Sequence, residues 1–420
     1  MFKTLSNCRL CAGDFYNKTL KLKDTPPANE LYPTRIAARE AQKFPLELVM
    51  CSKCKHVQLK HIVNPKRLFD EYVYKSGTSN FFINHFDKLA ELIASKYPVS
   101  NYVLEVGSND GILLSSLLKR DIKAIGVEPS EYLAKECVGN NQIVYNSYFD
   151  EKTVNEILGT HGKASIVLGN NVFAHIEDLR AAFKNVSKVL DTDGLFIFEV
   201  AHLKYILTDG IFDTIYHEHM SYHTAISMEI FCKDFGFKMI SIEKIPSHGG
   251  SLRFFLSKDQ KIQVDSSVQE IVEEEKVLKL DSEKVLELIE EKINMIKLSV
   301  SKVMNDFQMK SKSRYIGYGA PAKVVTFLAQ MDLEKIDLVG IIDDNLSKQN
   351  KYLPGSGFEI ISTEQMKQVL LKDEAARDFG VICFIFPWNL KAEIVKKLHS
   401  WVPNNSNGVV FFPMVEKVEI

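Results

Sequence analysis

Two separate stretches of this chain alternate short apolar runs with amphipathic ones, and that alternation restricts the fold more than any other feature. Between residues 102 and 200 the apolar runs are Tyr102–Val106, Ala124–Val127, Ile143–Tyr145, Ala164–Leu168 and Leu195–Val200. Helix-period segments such as Ile112–Leu118 and Leu179–Leu190 lie between them. A strand–helix alternation of this kind predicts a parallel sheet covered by helices on both faces. Two further runs, near Lys238–Glu243 and Ser251–Ser257, are joined by a short glycine-containing link and predict an antiparallel pair at the sheet edge. The pattern resumes with Arg314–Tyr318, Leu338–Ile342, Gly380–Phe386 and Val409–Phe412, which predicts a second, smaller doubly wound unit. Residues 266–310 separate the two. They are dense in Glu and Lys, lack Gly and Pro, and repeat apolar residues every three or four positions. That is a long helix or a helical hairpin with a solvated face.

At 420 residues the chain is too long for one ordinary core, and ~150 residues per domain suggests about three units. The net charge of -2 gives no basic excess for phosphate-backbone binding, so no nucleic-acid partner is expected. No apolar run approaches the ~18 residues of a bilayer span, and no membrane partner is expected. The first residues lack the apolar core of a signal peptide, and the seven cysteines are an odd number. Both features predict a cytoplasmic protein with reduced thiols.

Four of those cysteines form two C-x2-C pairs, Cys8/Cys11 and Cys51/Cys54, in a region with no strong periodicity that reads as irregular. Each pair brings two thiolates to one metal, and two pairs complete a tetrahedron. All-thiolate ligation leaves no open position, so the zinc is expected to be structural. A thioredoxin-like pair is disfavoured, because neither C-x2-C follows a strand in a βαβ unit.

The first strand of the larger unit ends in Glu105-Val-Gly107-Ser108-Asn109-Asp110-Gly111, and Glu128 ends the next strand. Gly107 permits a tight turn close to a ligand, and a carboxylate at Glu128 can accept both hydroxyls of an adenosine ribose. Asn109 stands where a dinucleotide fingerprint has its second glycine, and no P-loop Gly-Lys-Ser is present. Glu105 and the Ser-Asn-Asp loop suit the amino-acid end of S-adenosylmethionine better than a pyrophosphate. Asn170 and Asn171 end the fourth strand on the same edge.

Tyr216-His217-Glu218-His219-Met-Ser-Tyr222-His223 follows the fifth strand. Its histidine spacing does not put two imidazoles on one helical face, so a metalloprotease reading fails. A His–Glu pair suits general-base chemistry, and His175 adds a ring near the same edge.

These motifs resemble those of the sugar C-methyltransferases that act on nucleotide-linked 4-keto-deoxyhexoses. The matching pieces are the four cysteines, Pro27-Ala-Asn29, Tyr72-Val-Tyr74-Lys-Ser76, Glu105–Gly111, Tyr216–His219 and His248-Gly249-Gly-Ser-Leu-Arg253. In the last unit Gly319-Ala320-x-Ala-Lys323, Asp343-x-Asn345, Lys348 and Tyr352-x-Pro354-Gly355 also match. The resemblance implies an α/β chain of four parts: a zinc-binding domain (1–62), a central Rossmann-like seven-stranded methyltransferase domain with preceding helices (63–265), a helical linker (266–312) and a smaller C-terminal Rossmann-like domain (313–420). It implies S-adenosylmethionine bound by Glu105, Gly107, Ser108, Asn109, Asp110, Glu128, Asn170 and Asn171. It implies His219 as base with Tyr216 and Glu218, and Tyr74 and His175 holding the keto sugar. The nucleotide sugar would meet His248, Gly249, Arg253, Gly319, Ala320, Lys323, Asp343, Asn345, Lys348 and Pro354. Lys348-Gln-Asn-Lys351 departs from the family's usual Lys-x-Gly, and Asp344 adds a charge there. Methylation at oxygen or nitrogen, or a zinc-ribbon interaction protein with an inactive central domain, are the alternatives. A monomer or small homo-oligomer is expected.

Overall fold

The computed structural model describes residues 2–70, 75–310 and 312–420, so Tyr72 and Tyr74 lie outside the described residues. The N-terminal region is more regular than its sequence suggests. It holds β1 (Phe2–Thr4), β2 (Leu20–Thr25), β3 (Phe44–Met50), β4 (Val57–Leu59) and β5 (His61–Val63). β1 pairs with β5, while β2, β3 and β4 form an antiparallel meander. The three-residue strands β1, β4 and β5 escaped the sequence reading because they are too short to show an alternation; β2, whose Leu20-Lys-Leu-Lys23 does alternate, and the seven-residue β3 were overlooked.

The central unit contains β6 (Val103–Val106), β7 (Ala124–Val127), β8 (Ile143–Tyr145), β9 (Ala164–Asn170), β10 (Leu190–Ala201), β11 (Ser221–Tyr222), β12 (Lys238–Ile245) and β13 (Ser251–Ser257). Seven of these make one sheet in the order β12-β13-β10-β9-β6-β7-β8. The strands β6 to β10 run parallel, and β13 is antiparallel to both β10 and β12. The chain winds one way from β6 to β8 and then returns to β9, so the switch point opens beyond the carboxyl ends of β6 and β9. β11 leaves this sheet and joins β4, making the N-terminal sheet four-stranded.

The charged segment is a helical hairpin, Ser266–Val277 and Val285–Lys310. One of its glutamates is no surface charge. Glu275 is fully buried, with His202 Nε2 at 2.9 Å, and accepts the backbone N–H groups of Ala225 and Ile226. The C-terminal unit contains β14 (Arg314–Tyr318), β15 (Leu338–Ile342), β16 (Lys351–Tyr352), β17 (Glu359–Ile361), β18 (Val381–Ile385), β19 (Asn407–Val410) and β20 (Glu416–Glu419), in the order β16-β17-β15-β14-β18-β19-β20. Its two edge strands are antiparallel. One apolar core runs through Phe44 and Leu48 of the N-terminal sheet, Phe212 and Ile215, Leu286 and Ile289 of the hairpin, and Phe327 and Phe384 of the C-terminal unit. Among the described residues no helix is long and apolar enough to cross a membrane.

Candidate active site

The four sulfurs of Cys8, Cys11, Cys51 and Cys54 all lie within 4.8 Å of one another. Cys8 and Cys54 Sγ are 3.6 Å apart, and Cys11 and Cys51 Sγ are 3.4 Å apart. Zn–S bonds of about 2.3 Å in a tetrahedron set the sulfurs about 3.8 Å apart, so the donor set fits zinc. The knuckle also reaches the histidine-rich segment. The Arg9 guanidinium donates to the Ile176, Glu177 and Met220 carbonyls at 2.9, 2.9 and 2.7 Å and touches Ser221 Oγ. His56, two residues past Cys54, lies 3.2 Å from the same hydroxyl. The zinc-bearing turns therefore buttress the chain just after His175 and just after His219.

At the switch point the loop after β6 is shaped by left-handed backbone at Gly107 (φ 68°), Asn109 (φ 51°) and Gly111 (φ 71°). Gly111 has no alternative, since a Cβ there would stand 1.9 Å from Gln142 Oε1. Glu128 accepts the backbone N–H groups of Asn109 and Ser130, both at 2.9 Å, which ties the loop to the end of β7. The side chains of Asn109 and Asp110 turn away from the loop. Their oxygens accept the Ser76 and Gly77 backbone N–H groups at 3.0 and 2.7 Å and fasten the segment ahead of the helix Asn80–Lys96. What remains is a set of buried polar atoms with no hydrogen-bond partner among the described residues: Glu105 Oε2, Ser108 Oγ, Asp110 Oδ1 and Asn170 Nδ2. Burial pushes the Glu105, Asp110 and Glu128 carboxyls upward, and their mutual repulsion adds to it. Of these three acids only Asp110 feels a cation of the chain, Lys75, so the cluster still calls for positive charge. The sulfonium and ammonium of S-adenosylmethionine fit that demand, and a pyrophosphate does not. Asn171 (φ 56°) is held by the Glu199 carbonyl at 2.7 Å.

The histidine cluster divides in the folded chain. His223 is buried against Met228 and the Phe173 carbonyl, and His217 lies edge-on to Phe44. His219 faces His175, with ring centroids 5.0 Å apart. Its Nδ1 is 2.8 Å from the Thr214 carbonyl, which can only accept, so Nδ1 carries the proton. Nε2 is then a bare lone pair, and it accepts the Tyr216 hydroxyl at 2.8 Å. Desolvation, then His175, holds the His219 imidazole neutral, and burial lowers His175 to about 4. Glu218 points elsewhere. Its two oxygens accept Asn29 Nδ2 at 2.9 and 2.7 Å, and burial raises its carboxyl to about 7 against the pull of Asn29 and Lys348. Asn29 comes from the loop between the cysteine pairs, and its role was not apparent from sequence.

The remaining residues expected to hold substrate fall into four places. His248 (φ 52°) and Gly249 (φ 88°) form a strained turn at the mouth of the cleft, with the His248 ring 5.1 Å from Phe82. Arg253 is a buried strut: it donates to Glu199 at 2.8 Å and Glu243 at 3.1 Å. Glu199, which sequence reasoning overlooked, also has His85 at 3.0 Å and accepts Ser247 Oγ at 2.6 Å; these partners hold it near 2 despite burial. In the C-terminal unit Asp343 accepts the Ala320 and Asn345 backbone N–H groups at 2.8 and 2.9 Å, and Lys348 Nζ donates to the Ala320 carbonyl at 2.9 Å. Gly319 needs its left-handed backbone (φ 79°), and Asn345 accepts from Ser347. Lys323 lies beside Asp213 and Trp388. Pro354 is in a different neighbourhood: the Tyr352–Gly355 turn pairs with Tyr32 and Ala38 of the N-terminal region.

Residues 8–69 match a zinc binding domain family, residues 81–242 a methyltransferase domain family, and residues 246–413 a C-methyltransferase C-terminal domain family. The C-methyltransferase NovU of Streptomyces niveus is 28% identical over 414 residues, which is 98% of this chain and 96% of NovU. Among solved structures, an S-adenosylmethionine-dependent methyltransferase from Clostridium acetobutylicum is 14% identical, with a TM-score of 0.34 over 41% of this chain and 89% of that one. Magnesium protoporphyrin IX methyltransferase from Synechocystis is 15% identical, with a TM-score of 0.33 over 44% of this chain and 85% of that one. The three family matches follow one another in sequence order from the cysteine knuckles to the last sheet, and with NovU similar over nearly the full chain they make this an S-adenosylmethionine-dependent methyltransferase with an N-terminal zinc-binding domain and a C-methyltransferase C-terminal domain.

Proposed function

We propose that this protein methylates a carbon beside the ketone of a nucleotide-linked keto-deoxysugar, with His219 as the base. The observation that carries the reading is the His219 ring, whose tautomer is set by the Thr214 carbonyl and whose Nε2 lone pair is presented to a phenol. A carbon next to a ketone is a weak acid, so its proton needs a positioned base and its oxygen a donor. In the proposed step the proton passes from the carbon to Nε2, and the Tyr216 hydroxyl turns from Nε2 to the ketone oxygen as that oxygen gains charge. His175 flanks the enolate, and Glu218, fastened by Asn29, holds the segment that carries both groups. S-adenosylmethionine, bound at Glu105, the 107–110 loop, Glu128 and Asn170–Asn171, supplies an electrophilic methyl group. NovU is a C-methyltransferase, which favours carbon over oxygen or nitrogen as the acceptor.

The division into 1–62, 63–265, 266–312 and 313–420 assigns the nucleotide to the last unit, where the Gly319–Ala320 turn opens the helix Val324–Gln330. The lone buried thiols Cys137, Cys232 and Cys383 suit a cytoplasmic enzyme. Solvent exchange tests the base. In deuterated water the wild type should wash deuterium into the acidic carbon of a nucleotide-linked 4-keto-deoxyhexose without methyl transfer. His219→Asn should lose exchange and methylation together, by ~10²–10⁴-fold, while still binding S-adenosylmethionine. Exchange at the wild-type rate in that variant would remove His219 from the reaction.

A further inference from the structure

We propose that Asp213, Lys323 and Trp388 form a subsite for a hydroxyl group of the sugar, at the seam between the methyltransferase and C-terminal units. The inference rests on the reading that the substrate is a sugar. Asp213 sits in the single turn Phe212–Thr214, with its side chain 4% exposed. Among the described residues its Oδ1 has no hydrogen-bond partner, and its Oδ2 is 3.8 Å from Lys323 Nζ, too far for a hydrogen bond. The Lys323 ammonium is 4.8 Å from the centre of the Trp388 ring, whose buried Nε1–H has no acceptor. The indole lies against the strained turn at the cleft mouth, since a Cβ on Gly249 would stand 2.9 Å from Trp388 Cη2. Lys323 is also close enough to His219 and His248 to oppose their protonation, which puts this triad at the reacting end of the cleft.

The three groups offer one unmatched acceptor, one unmatched indole donor and an ammonium with spare protons. A diphosphate would satisfy the donors but would meet the Asp213 carboxylate. A ketone oxygen would satisfy the donors and leave Asp213 Oδ1 without a proton to accept. A hydroxyl completes all of them, donating to Asp213 and accepting from Lys323 or Trp388. Lys323 therefore reads the sugar ring.

The test uses the full-length zinc-loaded protein and a nucleotide-linked 4-keto-6-deoxyhexose, together with analogues each lacking one ring hydroxyl. Binding and turnover are measured for wild type, Asp213→Asn and Trp388→Phe. Asp213→Asn should raise KM for the parent sugar by about 10- to 100-fold with S-adenosylmethionine affinity and melting temperature unchanged. For one analogue, wild type and Asp213→Asn should bind equally, because the group that Asp213 reads is already gone. Trp388→Phe, which removes only the N–H donor and keeps the ring, should show a smaller loss confined to the same hydroxyl. If the variants weaken every analogue to the same degree, or weaken none, the subsite is overturned while the sugar reading stands. If wild type binds none of these sugars, the functional reading itself fails, and the subsite with it.

Discussion

The two seven-stranded sheets solve the same local problem in the same way and differ in what they leave over. In the first, Glu128 at the end of β7 accepts an N–H from the loop after β6 and the N–H of Ser130, two residues on. In the second, Asp343 just past the end of β15 accepts the N–H of Ala320 in the loop after β14 and that of Asn345, again two residues on. A carboxylate at this position fixes the first loop in both sheets of this chain. The first sheet then leaves Glu105, Ser108 and Asn170 with unmatched atoms beside that loop. In the second, Lys348 fills the equivalent place by bonding the Ala320 carbonyl. The first loop is an unfinished cradle for a cationic cofactor, and the second is closed on itself. A shared backbone device is thus no evidence of a shared ligand.

Acid should separate the two edges most strongly. The buried His217 and His223 are held neutral by desolvation, at about 4 and about 3. A histidine whose folded value is depressed below its unfolded 6.5 stabilises the fold above that pH and loses the effect as pH falls. His217 alone amounts to about 3 kcal/mol at the limit. Stability measured by urea titration should therefore fall steeply from pH 6.5 toward 4, with the segment around β11 opening first by hydrogen exchange. Flat stability over that range would mean these rings are not neutral in the fold.

The next test exchanges the two carboxylates. Glu128→Ala should weaken S-adenosylmethionine binding by about 1–3 kcal/mol, through lost ribose contacts and a loosened loop. Asp343→Ala should leave that affinity unchanged in calorimetry, although it loosens the matching loop in the other sheet. Equal losses would show that the second sheet also holds the methyl donor.

The smallest effect concerns Glu218, where the N-terminal and C-terminal units meet. Burial raises this carboxyl to about 7, and Asn29 and then Lys348 pull it down. Lys348 in turn is 3.9 Å from Asp343, and His217 and His219 adjoin Glu218 in sequence. Removing either partner raises the value further, so more of the carboxyl is protonated at neutral pH. The acid limb of kcat against pH should move upward in both Asn29→Ala and Lys348→Met, and further in Asn29→Ala, whose direct hydrogen bonds outrank a more distant charge. An unmoved limb in Asn29→Ala would separate Glu218 from the reaction.

Much of this was legible because it depends on period and spacing. Alternating apolar runs located β6 to β9 and β14, β15 and β18 to within two residues, and paired cysteine turns predict a four-thiolate site wherever the chain takes them. The Gly107 turn and the acid at 128 were legible for the same reason, since each is a local backbone requirement at a strand end. The short strands β1, β4, β5, β16, β17 and β20 were not. Strands of two to four residues carry too few side chains to show an alternation.

By itself, then, the sequence determined the two α/β units, the thiolate set and the residue types at the cofactor loop, all of them properties of neighbours along the chain. Tertiary structure decided which of the like residues do which job. Three histidines within seven positions went to different surroundings, because the turn between Tyr216 and β11 sends His219 toward His175 and His217 toward Phe44, while His223, just past β11, packs against Met228. Arg253 became a buried partner of Glu199, and Asn29 crossed from the zinc loop to Glu218. Such assignments depend on contacts between residues tens to hundreds of positions apart. Proton position, pairing and burial are set by those contacts, and no local pattern encodes them.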